Sequence, residues 1–313
     1  MVLTGTPDGR TVQSPPPSPP VQQPSPRCDR YTCTTMKTQT LYITDLDGTL
    51  LNGNSVVSPR STQIINDLLH KGMRFTVATA RTPATVVPLL QQLDLDIPAV
   101  LMNGAVLYDI RRKRYIRANG FTDNSALSYI DLLEKRDLVP FVYRIDNNKL
   151  HVFHKPLAND MQRDFKRQRE NTPYKDFVPV DRYAEPLLDR PPLFILVIDR
   201  FDRLETAAAE IGRAGTPCSI FCYRDIVDPS YGNLEIYPQG VSKASTAQQI
   251  VDHLNPWEVV AFGDNLNDLP LFRMADRRYA PENAMDEVKR QATAIIPDNN
   301  HDGVARFLHD DYL

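Results

Sequence analysis

The chain has 313 residues, 42% of them apolar and 24% charged, with a formal net charge of −3. That length allows one large or two ordinary globular domains, and the charge balance supplies no basic field that would favour nucleic acid. The longest apolar candidate, Phe194 to Ile198, ends at Asp199, far short of the ~18 residues that span a bilayer, so no membrane partner is expected.

Residues 1–39 read as a proline-rich leader: eight of the 26 prolines fall within the first 26 residues. Such a segment has little to bury and is expected to stay extended or disordered. It lacks the roughly 7–15-residue apolar core of a secretory signal. It reads as a simple tail, as extra chain upstream of a start at Met36, or as a ligand for a proline-binding module. Four cysteines do not make a disulfide framework in a chain this long. Cys28 and Cys33 lie in the leader. Cys218 and Cys222, in a strand-like stretch, read as buried thiols in preference to a metal pair. A reducing, cytoplasmic home follows.

From Leu41 strands and helices alternate. Leu41-Tyr42-Ile43 leads into Thr44-Asp45-Leu46-Asp47-Gly48-Thr49, a buried strand whose carboxyl edge delivers two acids into a tight turn. Ser58-Pro59 is an N-cap with proline at the first helical position. Ile64, Ile65, Leu68 and Leu69 form one apolar face, and Gly72 ends that helix. Strand Phe75–Ala78 places Thr79 at its end. A helix from Thr82 to about Leu93 and a strand Ala99–Met102 follow. Val106–Tyr108 and Tyr115–Ile116 flank Arg111–Arg114, a hairpin whose basic tip reads as a solvated turn.

Between residues 121 and 233 the rhythm changes. The pattern predicts a helix (Asn124–Lys135), two strands (Val139–Ile145, Leu150–Phe153), a polar helix (Asn159–Arg169), a strand (Leu193–Ile198), a helix (Asp202–Arg213) and a strand (Ser219–Cys222). His151 and His154 stand three apart in or beside a strand and share no face, so they read as ordinary histidines. The first rhythm then returns: helix Ser242–Leu254, strand Val259–Phe262 ending in Gly263-Asp264-Asn265-Leu266-Asn267-Asp268, and further strands and helices to the end. The fold class is α/β: a Rossmann-like three-layer core with a parallel sheet, built from residues 40–120 and 234–313, interrupted by an α+β insert of residues 121–233.

Four segments would meet at one edge of that sheet: Asp45 with Asp47, then Thr79, then Lys243 at the start of a helix, then Asp264 with Asn267 and Asp268. Ligands of open α/β sheets bind just outside the carboxyl ends of the strands. Like charges two residues apart need a cation or a task, and phosphoryl transfer supplies both. A phosphoryl group in transfer spreads negative charge over its oxygens and needs a cation (Lys243), a donor (Thr79) and a metal. Hard oxygen ligands suit Mg²⁺, with Asp45 and Asp264 the natural pair. Asp47 can act as acid for the leaving oxygen and then as base for water, which requires a pKa nearer the working pH than that of a free aspartate. Taken singly, the same residues also read as a Ca²⁺ loop, a helix cap, an exposed lysine and an Asx turn.

These residues resemble the haloacid dehalogenase-like hydrolase superfamily. Its Asp-x-Asp-Gly-Thr-Leu motif matches Asp45 to Leu50, its strand-end Thr or Ser matches Thr79 within Val77 to Arg81, its lysine matches Lys243, and its Gly-Asp-x-x-x-Asp matches Gly263 to Asp268. The Cof-type branch, subclass IIB, is further indicated by Asn103-Gly104-Ala105, Glu235 to Pro238, Glu282 to Ala284 and Asp302 to Ala305. The resemblance implies that Asp45 is a nucleophile forming an aspartyl-phosphate. Asp47 would be the general acid/base, with its backbone carbonyl on the metal. Thr79 and Lys243 would hold phosphoryl oxygens, and Asp264 would bind Mg²⁺. Asp268 and Asn267 would support the metal shell, and Asn103, Asn283, Gly48 and Arg81 would support the site.

The expected activity is Mg²⁺-dependent hydrolysis of a small phosphorylated metabolite, a sugar phosphate first. Flavin-precursor, nucleotide and cofactor phosphates also fit. The insert would act as a cap that closes and reads the leaving group, with Arg144, Tyr143, Lys155, Tyr223 and Arg224 as polar candidates that also read as ordinary surface. The rival readings are a phosphomutase or phosphotransferase, a non-catalytic phospho-acceptor signalling module, and a partner-binding protein that works through its leader.

Overall fold

A computed structural model of the chain describes residues 39–313 apart from 189, 216 and 226. The leader, with Cys28 and Cys33, lies outside the described residues save Gln39. The first part contains β1 (Thr40–Thr44), α1 (Pro59–His70), β2 (Arg74–Val77), α2 (Pro83–Leu90), β3 (Ala99–Leu101), β4 (Val106–Asp109) and β5 (Arg114–Ala118). Helix α1 starts where the Ser58 hydroxyl accepts the Ser61 N–H at 2.9 Å. The exposed residues 111–114 turn β4 back onto β5.

The insert holds α3 (Ser125–Glu134), β6 (Pro140–Asp146), β7 (Lys149–His154), α4 (Asp160–Arg167), β8 (Lys175–Pro179), α5 (Ala184–Leu187), β9 (Phe194–Arg200), α6 (Phe201–Arg213), β10 (Cys218–Arg224) and β11 (Tyr231–Pro238). The chain then returns through α7 (Lys243–Leu254), β12 (Glu258–Phe262), α8 (Leu269–Met274), β13 (Arg277–Pro281), α9 (Asp286–Gln291), β14 (Ala294–Ile296) and α10 (Gly303–Tyr312).

The core sheet is parallel, in the order β14-β13-β12-β1-β2. β3 adjoins its edge through one parallel bridge, Ala78 to Val100. Side chains alternate across a strand, and the alternation divides the core into two layers. Tyr42, Phe75, Val77, Val260 and Phe262 pack with Ile65 and Leu68 of α1 and with Val304 and Leu308 of α10. Leu41, Ile43, Val259 and Ala261 face the other way, onto Ala247 and Ile250 of α7, Phe272 of α8 and Val288 of α9. The result is the expected three-layer α/β core.

The insert sheet runs β10-β11-β9-β6-β7-β8 and is antiparallel except between β7 and β8. Val142, Ile195, Val197, Leu234 and Ile236 pack on α3 and α6. Phe141, Tyr143, Phe194, Leu196 and Tyr237, on the opposite face, form one continuous cluster with the core residues. That face therefore turns toward the core.

β8, α5 and β11 were not among the expected elements. The division expected at residue 234 falls inside β11, whose hydrogen-bonded register with β9 and β10 keeps it in the insert sheet to Pro238. Cys218 and Cys222 are free and half-buried, not buried as expected, because β10 is the edge strand of that sheet. His151 is half-buried and His154 buried. Among the described residues no helix is long and apolar enough to cross a membrane.

Candidate active site

β1 and β12 lie side by side at the centre of the core sheet, and their carboxyl ends carry the acids. Asp45 follows β1, its N–H donating to the Phe262 carbonyl at 3.0 Å. It is 5% exposed. At the end of β2, Ala78 donates to the Thr44 carbonyl at 2.8 Å and Thr79 to the Val100 carbonyl at 2.9 Å, which sets buried Thr79 beside Asp45 in the next strand. Lys243 opens α7 behind a Ser242–Ser245 capping box. Its ammonium lies 2.8 Å from Asp45 Oδ1 and 2.7 Å from Asp268 Oδ1.

The other Asp268 oxygen accepts the N–H groups of Asp264 and Asn265, each at 3.0 Å. Asp268 is thus fully engaged in fixing Lys243 and the turn. Asp264 accepts the Thr49 hydroxyl at 2.8 Å. Gly48, at φ +75°, comes so close to Asp264 that a Cβ there would fall on the carboxylate, so this turn requires glycine.

Asp45, Asp264 and Asp268 each present an oxygen within 4.8 Å of the others. With Asp268 committed to Lys243 and the turn, Asp45 and Asp264 are the carboxylates left for a hard divalent cation, which takes oxygen ligands. Burial raises the Asp45 pKa well above its ordinary value against the pull of Lys243, and the charges of Asp268 and Asp264 add to the rise. Burial, then the charge of Asp268, pushes Asp264 up to about 6. Burial opposes the charge of Lys243, but Asp268 and Asp45 outweigh it and hold the lysine above its ordinary value.

Asp47 stands apart from this cluster. Its side chain is half exposed and bound at both oxygens by Arg81, at 2.7 and 2.6 Å. The Asn283 amide donates to the Gly48 carbonyl at 2.7 Å and so holds the turn that follows the two acids. Asn103, at φ +52°, accepts from Asn267 at 3.1 Å and donates to Glu235 at 3.1 Å. Buried Glu235 also accepts the hydroxyls of Tyr223 and Tyr237, both at 2.8 Å. A hydrogen-bonded chain therefore joins β11 of the insert to the loop after β12.

Of the polar residues expected to read a leaving group, Tyr143 and Tyr223 belong to this region. Tyr143 stacks on Phe194 at 4.2 Å. The other three are held within the insert. Arg144 binds Asp146 and the Pro186 carbonyl, Lys155 pairs with Glu134 at 2.5 Å, and Arg224 lies over Phe201 at 3.9 Å. Long cationic side chains close to an acid or ring of their own unit bind it first.

The sequence placed Thr49 and Glu235 within motifs but assigned neither a role in the site. Both carried a signal: a hydroxyl directly after the glycine of the acidic turn, and a lone acid between apolar Leu234 and Ile236.

The family model described as haloacid dehalogenase-like hydrolase matches residues 42–308. The Bacillus subtilis 5-amino-6-(5-phospho-D-ribitylamino)uracil phosphatase YwtE is 28% identical over 283 residues, covering 84% of this chain and 95% of the relative. The Escherichia coli pyridoxal phosphate phosphatase YbhA is 29% identical over 274 residues, covering 85% and 96%. A crystal structure of a Thermotoga maritima protein superposes with a TM-score of 0.70 at 25% identity, over 86% of this chain and 96% of that one.

Proposed function

The chain belongs to the haloacid dehalogenase-like hydrolases and is a phosphatase of the Cof type; from that premise we propose a Mg²⁺-dependent phosphomonoesterase that works through an aspartyl-phosphate on Asp45. The observation that carries this reading is the state of the Asp45 carboxylate. One oxygen is tied to Lys243, and no described residue occupies the other, which leaves it to act as nucleophile.

In the proposed first step Asp45 Oδ2 attacks phosphorus, the ester P–O bond breaks, and Asp47 gives its proton to the departing oxygen. In the second, Asp47 takes a proton from water, the water oxygen attacks the acyl phosphate, and phosphate leaves as Asp45 is restored. Lys243 and Thr79 would hold the phosphoryl oxygens. Arg81 would hold Asp47 at the mouth of the site until the leaving group displaces it. Asp45 and Asp264, with the Asp47 backbone carbonyl, would hold Mg²⁺. Once bound, the ion would offset the charge of the phosphoryl oxygens. Asp268 would position Lys243 and the turn.

The substrate class is small phosphorylated metabolites, sugar phosphates first. Residues 40–120 and the chain after β11 would form the catalytic core, and the insert would close over it and exclude water. A reducing, cytoplasmic setting goes with this reading.

The test is phosphate release from p-nitrophenyl phosphate and a panel of sugar and cofactor phosphates, with Mg²⁺ or with chelator. Release should require Mg²⁺ and disappear in Asp45→Asn. No release from any substrate, or full release by Asp45→Asn, would overturn the proposal.

A further inference from the structure

Two lysines of this chain are each 1% exposed. Lys243 lies between two carboxylates. Lys175 opens β8, and among the described residues its ammonium has no carboxylate within ion-pair range and no hydrogen-bond partner. Its neighbours are rings, with Phe177 at 5.2 Å and Phe165 at 5.8 Å from the ammonium. Burial pushes its pKa down to about 7, and the positive charge of Arg169 adds to the shift.

Arg169 shares the Phe165 ring, with its guanidinium 4.3 Å away. Among the described residues it too has no acid partner, and its hydrogen bonds go to the Phe165 carbonyl at 3.3 Å and the Gln168 side chain at 3.1 Å. Its charge interacts with Tyr143 and with Arg81. It therefore stands on the sheet face turned toward the core, within electrostatic reach of the residue that holds Asp47.

Removing one cation from water without a partner is unfavourable, and here two that repel each other share one ring. The transferred phosphoryl group does not account for them, because Lys243 and Thr79 meet it in the core.

We propose that Arg169 and Lys175 form a second anion subsite that takes a carboxylate or a phosphate on the leaving group, so that the enzyme selects phosphomonoesters with a second acidic function. This deepens the phosphatase reading and rests on it. The subsite acts on specificity: it adds binding for one end of the substrate while the chemistry proceeds at the other.

The experiment compares kcat/KM for paired substrates: phosphoglycerate against glycerol phosphate for a carboxylate, and fructose bisphosphate against fructose phosphate for a second phosphate. The pair with the larger preference identifies the kind of anion. In the natural protein the charged member should lead by roughly tenfold or more. That ratio should collapse toward unity in Lys175→Met and Arg169→Met and persist in Arg169→Lys. Using the ratio within each protein cancels any general loss of activity, and circular dichroism confirms folding.

Calorimetric binding of the same pairs to Asp45→Asn reads the subsite without turnover. An anion preference in binding with no hydrolysis anywhere supports the subsite and overturns the phosphatase reading. Hydrolysis with equal kcat/KM for charged and neutral members, or a ratio unmoved in both methionine variants, overturns the subsite alone.

Discussion

The Lys243 ammonium lies 2.8 Å from Asp45 and 2.7 Å from Asp268, so one buried cation ties the end of β1 to the loop after β12. Asp268 cannot follow a displaced lysine, because its second oxygen is fixed by two backbone N–H groups. The position of the nucleophile thus depends on a side chain about two hundred residues away along the sequence.

Lys243→Met should remove both activity and stability. It leaves Asp45 and Asp268 buried and facing each other without a cation, and breaking a buried pair in this way costs about 3–5 kcal/mol. Loss of a phosphoryl-oxygen contact should lower kcat by on the order of 100-fold. Urea unfolding and phosphate release on the same preparation check both effects.

Divalent cation should stabilise the protein as well as activate it. At an ion concentration about a hundred times Kd the expected gain is about 2.7 kcal/mol, read as a rise in Tm with Mg²⁺ that chelator reverses. Asp264→Asn should abolish most of that rise. An equal rise in natural protein and variant would remove Asp264 from the ion site.

Lys175 should make stability rise with pH in the alkaline range. Its ordinary value is 10.5 and burial lowers it to about 7. Below about 7 the folded protein carries the full penalty of the buried charge. Between there and 10.5 the folded state has released a proton that the unfolded chain keeps, so the penalty fades as pH rises. Lys175→Met should therefore be more stable than the natural protein at pH 6, by a margin that shrinks toward pH 10. Arg169 is the charged neighbour, and its substitution should move the same curve. Parallel curves for variant and natural protein would refute the assignment.

Glu235→Ala should loosen the insert from the core. It leaves Tyr223, Tyr237 and Asn103 without their shared acceptor, a cost on the order of 3 kcal/mol. Asn103 then loses its fixed position beside Asn267. Denaturant unfolding and limited proteolysis of residues 225–242 should both register the change, and unaltered proteolysis would deny the link.

The core was legible because its central strands read as unbroken apolar runs ending in polar turns. Leu41–Ile43 and Val259–Ala261 are buried on both faces, as a parallel strand between two helix layers must be, and the acids following them had to emerge at one edge. The insert was less legible because its strands mix functions. β8 opens on a lysine and ends on a proline, which hides it from any apolar pattern. β11 carries Gly232, Asn233 and Glu235, and its pairing depends on β9 and β10, not on its own composition. The same limit explains why Arg144, Lys155 and Arg224 stood out while Arg169 and Lys175 did not. Which cation finds an acid inside its own unit is decided by tertiary packing.

β1 lies between β2, close in sequence, and β12, whose partners for Thr40–Thr44 are Glu258–Phe262. During synthesis the ribosome must therefore complete the entire insert before the central pair of the core sheet can form. Until then Asp45 has neither Lys243 nor Asp264 beside it. An incomplete chain released early would carry the acidic turn without its lysine, and added metal or phosphate could not supply the missing ammonium. The interruption makes activity an all-or-none property of the finished polypeptide.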